Sequence, residues 1–238
     1  MVNLIGHLDG ITASIIILTS LIFGLLSFIN ARKMGAKLLY YAGAMMIFIG
    51  LFWLGPFVEY MIALLLDSHI QPEIYYGWLS YTWVAPAIII AMYLGSELLA
   101  PNKKKIIVGV FGFLGIIFAV LMYVFPSAAT EPLLGTFEFD PLGPGDLLNS
   151  SFNLTSPTFW FVAIFLITVL IFEGIGFAIK AKQATGELRK KFTYLSIAFF
   201  VFVICGALDS ILDPGIAIGF VRLVMATFSF WMYSGLRT

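Results

Sequence analysis

Seven long apolar segments constrain the fold of this chain more than any other feature. A helix needs about 20 apolar residues to cross the hydrocarbon core of a bilayer. The qualifying segments are Ile11–Asn30, Leu38–Leu66, Ile74–Leu99, Ile106–Phe125, Thr158–Ile179, Phe192–Leu212 and Ile216–Gly235. Because 61% of the residues are hydrophobic and only 11% are charged, the chain cannot keep a soluble surface hydrated. The sequence therefore predicts an all-α integral membrane protein, a seven-transmembrane-helix bundle that forms one domain over residues 1–238.

Charge in the connections predicts the orientation of this bundle. Every Lys and Arg except Arg222 lies in or beside the connections one–two, three–four and five–six, or follows the seventh segment. The charged residues of the other connections are acidic: Asp67, Glu73, Glu131, Glu138, Asp140, Asp146 and Asp213. The positive-inside rule therefore places the N-terminus outside and the C-terminus in the cytoplasm. The N-terminus lacks a basic region and a cleavage site, which favours a retained first helix in the cytoplasmic membrane.

The connection Pro126–Pro157 is the longest in the chain, at about thirty residues, and exceeds the usual loop length. It is rich in Gly, Pro and acidic residues, and we expect either a cap over the outer end of the bundle or a solvated loop. It contains two Asn-x-Ser/Thr sequons, at Asn149 and Asn153, which are candidate glycosylation sites or chance matches.

Two internal features bear on architecture. Pro56 and Pro86 lie within the long second and third segments and predict kinks there. Segments one to three and five to seven run in the same directions, which allows a 3+1+3 pseudo-repeat. The ending Met92-Tyr93-Leu94-Gly95 recurs as Met232-Tyr233-Ser234-Gly235, although short apolar matches also arise by chance.

Arg222 is the main candidate functional residue, because a guanidinium in hydrocarbon requires a partner, a water-filled cavity or a ligand. It lies about 9 Å below the outer boundary, with Asp209 roughly 5 Å deep on the preceding helix and Glu59 about 10 Å deep on the second. The short connection Asp213-Pro214-Gly215 forces the last two helices side by side.

Three interpretations of Arg222 remain open. A buried pair with Asp209 would fix helix packing without any ligand. An outward-facing pocket would use Arg222 to anchor an anionic ligand group. A proton or ion pathway would need an inner carboxylate, for which Glu173 is the candidate. The simpler interpretation of Glu173 is a side chain that reaches the interface beside Lys180.

Aromatic residues and glycines suggest further contacts. Four aromatic residues in the outer half are candidate pocket walls: Trp53, Tyr60, Tyr81 and Trp83. Three others near the boundary, Tyr75, Tyr76 and Trp78, are typical of an interfacial belt. In the fourth segment, small residues recur every three positions at Gly109, Gly112 and Gly115. They allow close helix contact within the bundle or in a homo-oligomer.

Several classes of protein are disfavoured. No lysine lies within a predicted segment, which excludes a retinal Schiff base. His7 and His69 lie near the outer surface and far apart in sequence, which argues against haem. The lone Cys205 provides no disulfide framework or cysteine metal site, so neither cofactor nor metal is expected. Zero net charge argues against nucleic-acid binding. No catalytic motif predicts an enzyme, although intramembrane enzymes that use only carboxylates exist.

The C-terminal third combines a basic stretch with an apolar helix. The stretch Thr185-Gly186-Glu187-Leu188-Arg189-Lys190-Lys191 runs into a helix from Tyr194 to Gly206-Ala207-Leu208-Asp209. This region resembles archaeal seven-helix membrane proteins and is similar to the seven-helix N-terminal sensor regions of some histidine kinases. The resemblance implies a sensor that binds something within the bundle and changes helix packing. Those sensors continue into a kinase module, whereas this sequence ends three residues after the seventh segment. We therefore expect a separate cytoplasmic signalling partner.

Three functions are consistent with these features. The first is a receptor-like sensor that binds a small ligand at Arg222, Asp209 and Glu59. The second is a small 3+1+3 membrane transporter, and the third is an accessory or scaffold subunit of a membrane complex. In each case the lipid bilayer is the surrounding partner.

The predicted orientation can be tested by cysteine labelling in a Cys205→Ala background. In intact cells, we expect a membrane-impermeant maleimide to label Glu131→Cys, because the acidic connections lie outside. Lys190→Cys should react only after permeabilisation. The reverse pattern would contradict the orientation.

Overall fold

The computed structural model describes residues 2–140, 142–212 and 215–237. Within these residues, seven helices are long and apolar enough to cross a membrane. They are α1 (Leu4–Met34), α2 (Lys37–Leu66), α3 (Ile74–Leu99), α4 (Pro101–Val124), α5 (Pro157–Gln183), α6 (Gly186–Asp209) and α7 (Ile216–Leu236). The prediction of a helical, multi-pass membrane protein is confirmed at this level. Asp213 and Pro214, from the predicted turn before α7, lie outside the described residues.

Helix boundaries differ most from the prediction in α1 and α6. The first helix begins at Leu4 and not at Ile11, because the Asn3 side chain accepts a hydrogen bond from the Gly6 amide at 2.7 Å and caps the helix. The sixth helix begins at Gly186 and ends at Asp209. Hydropathy marks only the membrane-embedded part of a helix. The polar turns at the ends of a helix therefore lie outside the predicted segments.

Four helices are interrupted near their middles. A 3₁₀ turn, Leu51–Trp53, divides α2 just before Pro56, and α3 is broken between Tyr81 and Val84, just before Pro86. A proline removes the hydrogen bond to the carbonyl four residues earlier, which explains both positions. The other two interruptions are a π-helical segment in α5, Val169–Ile175, and a break at Thr227 in α7. Neither has a proline, and neither was predicted from the sequence.

The helices form a ring in which each packs against its neighbours in sequence. Contacts join each helix from α1 to α6 to the next one along the chain, and α1 closes the ring against α7. We call the end with residues 67–73, 125–140, 142–156, 210–212 and 215 the acidic end. The opposite end, with residues 35–36, 100–103 and 184–185, is the basic end.

Residues 126–140 and 142–156, here called the cap, fold over the acidic end. Two short antiparallel strands, β1 (Phe137–Phe139) and β2 (Ser150–Phe152), pair with Phe137 opposite Phe152. This ladder is a small departure from the all-α chain predicted from the sequence. Phe137 is fully buried, and its ring fills the space beside Gly77 of α3. The cap is therefore packed on the bundle and is not a solvated loop.

Close contact between α1 and α2 depends on two glycines. A Cβ atom on Gly43 would lie 2.8 Å from the Gly24 carbonyl oxygen, so the backbones approach too closely for any side chain. By contrast, Gly112 on α4 has no described atom within 4 Å of the same position. Gly43 and Gly112 therefore offer a matched test of this contact.

We expect Gly43→Leu to lower the free energy of unfolding by about 1–3 kcal/mol, because the added side chain forces α1 and α2 apart. Gly112→Leu should leave stability unchanged or slightly raised, since both substitutions remove a helical glycine but only one meets a neighbour. Denaturant unfolding in detergent measures the difference. Equal effects of the two substitutions would contradict the described packing.

Candidate functional site

Arg222 is held by two carboxylates from two other helices. Its Nε donates to Oδ1 of Asp209 at 2.6 Å, and its Nη1 donates to Oδ1 of Asp9 at 2.5 Å. Nη1 also lies 3.3 Å from the Asp9 carbonyl oxygen. The Arg222 side chain is only 6% exposed. We refer to Arg222, Asp9 and Asp209 as the ion cluster.

The sequence places these three side chains near helix ends at the acidic end. Asp9 lies in the second turn of α1, Arg222 in the second turn of α7, and Asp209 is the last residue of α6. The expected contact between Arg222 and Asp209 is present. Asp9 was missed because the predicted first segment began at Ile11, two residues after it. The sequence signal that could have revealed Asp9 is Asn3, an N-cap residue that marks an earlier start of the helix.

Glu59 belongs to a different cluster. Its Oε1 lies 2.6 Å from Nδ1 of His69 and accepts a hydrogen bond from the Leu148 amide at 3.0 Å. Its Oε2 accepts a hydrogen bond from the Ile70 amide at 2.9 Å. The fully buried Glu59 therefore ties α2 to the following connection and to the cap. The expected convergence of Glu59 with Arg222 does not occur. Its partners are mostly backbone amides, which leave no mark in a sequence.

Tyr60 lies between the two clusters. Its hydroxyl is 3.0 Å from Nδ1 of His7, and its ring covers Gly10, where no side chain would fit. Tyr60 therefore packs against α1 at the residue that follows Asp9.

The other predicted pocket walls are packed side chains. Trp53 is 5% exposed and lies in a closed apolar cluster with residues of α1, α6 and α7. Tyr81 stacks on Phe137 of the cap and makes an edge-to-face contact with Phe152. Trp83 stacks on Phe48, and its indole N–H donates to the Leu79 carbonyl at 2.9 Å. Within the described residues, these side chains support the bundle and the cap and do not line the recess described next.

A recess of about 230 Å³ opens above the ion cluster, between the start of α1 and the cap. It is lined by Asn3, Ile5, Gly6, Asp9, Asp140, Asp146, Leu147, Leu148 and Asn149. Its charged lining residues are all acidic, and Asp9 belongs to both the recess and the ion cluster. The surface of this recess is therefore acidic, and Arg222, the expected anchor of an anionic ligand group, is not among its lining residues. The residues described contain no group of three or more side chains suited to holding a metal ion.

The two sequons have different surroundings. Asn153 is 3% exposed, and its amide donates to the carbonyls of Pro132 and Gly135. This packing is incompatible with a glycan in the folded cap. Asn149 is half-buried, and its amide donates to Asp140 at the recess.

The glycines of α4 contribute little to the bundle. A Cβ atom on Gly109 or Gly112 would have no described atom within 4 Å, and only Gly115 approaches α3, at Ala85. The stripe therefore faces mostly outward, toward lipid or another protein.

Glu173 is fully buried, in the half of α5 nearer the basic end. Its side chain does not reach the interface beside Lys180, as the simpler interpretation had it. The π-helical segment turns it instead toward Gly95 of α3.

Polar contacts join α1 to α7 at three depths. Asp9 meets Arg222 at the acidic end, the Ser20 hydroxyl lies 3.1 Å from that of Ser229, and the Asn30 amide donates to the Tyr233 hydroxyl at 2.5 Å. We call these contacts the α1–α7 seam. It connects the ion cluster to the basic end.

Arg222→Met should lower the free energy of unfolding by about 3–5 kcal/mol, because it leaves two buried carboxylates without a counter-charge. Denaturant unfolding in detergent measures this loss. Lys190→Met is the control, since the Lys190–Glu187 pair is exposed and its removal should have no measurable effect.

Adding Asp9→Asn and Asp209→Asn to Arg222→Met should recover part of the loss, because the unpaired charges are then removed. An Arg222→Met protein as stable as the wild type would mean that the ion cluster does not hold the helices together.

Comparison with known proteins gives no assignment for this chain. No protein-family model matches it, and no curated protein matches it. Functional inference therefore rests on the side chains described above.

Proposed function

We propose that the protein is a receptor-like seven-helix sensor that binds a small cationic ligand in the recess at its acidic end. In this proposal the acidic end faces outward and the basic end faces the cytoplasm, as the charge distribution predicts. The recess is smaller than the roughly 300–1,000 Å³ typical of drug-sized ligand sites, so the ligand is small. An amine or guanidinium compound has the required charge.

One observation carries this proposal: Asp9 lines the recess and also pairs with Arg222. A cation in the recess competes with the guanidinium for the same carboxylate. Ligand binding is thereby coupled to the contact that holds α1 against α7. A ligand can shift a conformational equilibrium only through such a difference in contacts between two states.

The α1–α7 seam supports a route for the signal. Weakening of the Asp9–Arg222 contact leaves the lower contacts, Ser20–Ser229 and Asn30–Tyr233, to set the position of α7. The break at Thr227 lies between Arg222 and Ser229, so it separates the Asp9–Arg222 contact from the two lower contacts. The two halves of α7 can therefore move separately. A rearrangement at the basic end is then available to a cytoplasmic signalling partner.

The proposal predicts selective stabilisation of the purified protein by small cations. We expect amines and guanidinium compounds to raise the Tm of the wild type, while anions of similar size do not. Asp9→Asn should abolish the effect, because it removes the shared carboxylate. Glu131→Gln is the control, since Glu131 is an exposed acid of the cap that does not line the recess.

A second measurement tests signalling itself. Spin labels at Lys33→Cys and Arg237→Cys, in the Cys205→Ala background, report the distance between α1 and α7 at the basic end. Any cation that raises the Tm should change this distance. If no small cation raises the Tm, or if Asp9→Asn responds like the wild type, the sensor proposal is wrong.

A transporter is the second candidate, and the buried carboxyl of Glu173 favours it. Intramembrane carboxyl groups commonly serve proton and ion pathways, and a 3+1+3 pseudo-repeat would suit alternating access. Flux into vesicles containing the purified protein distinguishes a transporter from a sensor.

The outward-facing glycines of α4 favour a third candidate, an accessory subunit. A partner helix can approach Gly109 and Gly112 closely, because no described atom covers them. This function predicts a fixed partner that co-purifies with the wild type and is lost with Gly112→Leu.

A further inference from the structure

Glu173 is a buried carboxyl group without a side-chain partner. Its side chain is fully buried, and neither carboxyl oxygen makes a hydrogen bond of good geometry with a described residue, although the Gly95 backbone amide lies beside the carboxyl group. Glu59 is equally buried but has three partners, His69, Ile70 and Leu148. The two glutamates therefore have opposite environments.

The surroundings of Glu173 contain no counter-charge among the described residues. Gly95 of α3 faces it, and a Cβ atom there would lie 2.5 Å from Oε1, so the glycine makes room for the carboxyl group. The Gly95 amide is the one backbone donor recorded beside the Glu173 carboxyl group. It belongs to the interior of a helix, where amides already donate to carbonyls four residues earlier. On α6, the Ser196 hydroxyl donates to the Gly174 carbonyl and not to Glu173.

Several titratable groups on the same three helices have other partners. On α3, Glu97 pairs with Lys104, and Tyr93 packs on Tyr41. On α6, Tyr194 packs on Trp231. Lys180 of α5 lies two turns nearer the basic end, and it makes no hydrogen bond to Glu173. An ionised carboxylate in this setting would be desolvated and unpaired, which is too costly to persist, so Glu173 carries a proton.

The local backbone is also unusual. Glu173 lies in the π-helical segment Val169–Ile175, and such segments are rare and frequently occur at functional sites. The Ser196 hydroxyl bonds to a carbonyl inside this segment at 2.8 Å. The wider turn directs Glu173 to the interior between α3 and α6, and its return to α-helical geometry would move the side chain. A chain that needed only an apolar filler here would gain stability from leucine or methionine.

We propose that Glu173 is a proton-binding site, which takes up and releases a proton from the basic end by rearrangement of the π-helical segment. The site lies roughly 15 Å along α5 from its end at Gln183. It is separate from the recess and the ion cluster, and it does not depend on the sensor proposal. A proton is the ligand, because the buried site offers only one carboxyl group to any larger cation.

Infrared spectroscopy of the protein in lipid tests this proposal directly. We expect a carbonyl band of a protonated carboxylic acid that is present in the wild type and in Glu59→Gln but absent in Glu173→Gln. The band should shift when H₂O is replaced by D₂O and should disappear as pH rises. A missing band would overturn the proposal, and so would a band that neither exchanges nor titrates, since Glu173 would then be a static structural acid.

Chemical labelling of the wild type provides a second test that does not require a folded variant. Dicyclohexylcarbodiimide adds to protonated carboxyl groups in membranes and leaves a stable N-acylurea that mass spectrometry can locate. We expect modification of Glu173, increasing as pH falls and unaffected by Na⁺, with Glu59 unmodified. Protection by Na⁺ would identify a cation site instead. Labelling that does not depend on pH would contradict reversible proton binding.

Discussion

A guanidinium buried in a membrane protein has to be neutralised, and the packing of three helices depends on how Arg222 is neutralised. Its two carboxylate partners come from the start of α1 and the end of α6. The desolvation of these charges is compensated only while all three helices stay in place. The ion cluster therefore sets the relative positions of α1, α6 and α7 at the acidic end. Everything proposed for the recess above it depends on this constraint.

Two buried glutamates show how environment decides the role of one residue type. Glu59 accepts hydrogen bonds from two backbone amides and contacts a histidine. It therefore joins α2, the connection between α2 and α3, and the cap into one unit. Glu173 has no side-chain partner or counter-charge among the described residues and faces the space left by Gly95. The first arrangement holds separate parts of the structure together. The second suits a group that holds a proton, because only the neutral acid tolerates an unpaired site in an apolar interior.

The interrupted helices connect these sites. Phe202 of α6 packs on Phe52, at the 3₁₀ turn of α2, and on Phe228, next to the break in α7. Two interruptions thus lie on either side of one aromatic side chain near the middle of the bundle. Helix segments separated by such breaks can shift as rigid pieces, which is how small changes at a binding site become larger movements elsewhere. The recess, the seam and the π-helical segment are all parts of helices with these breaks or of their direct neighbours.

The number of membrane helices, their approximate extent, and the kinks before Pro56 and Pro86 were determined by the sequence itself. Hydropathy and proline act locally, so their effect can be deduced without knowing any long-range contact. The depth of Arg222 and its neighbour Asp209 also followed from helix geometry. Tertiary structure alone decided that Asp9 pairs with Arg222 and that His69 and Leu148 contact Glu59. Helix rotation and the fold of the cap depend on contacts between residues far apart in sequence. The same holds for Glu173: its position was predictable, but only the packing of α3 and α6 around the π-helical segment left its carboxyl group buried and unpaired.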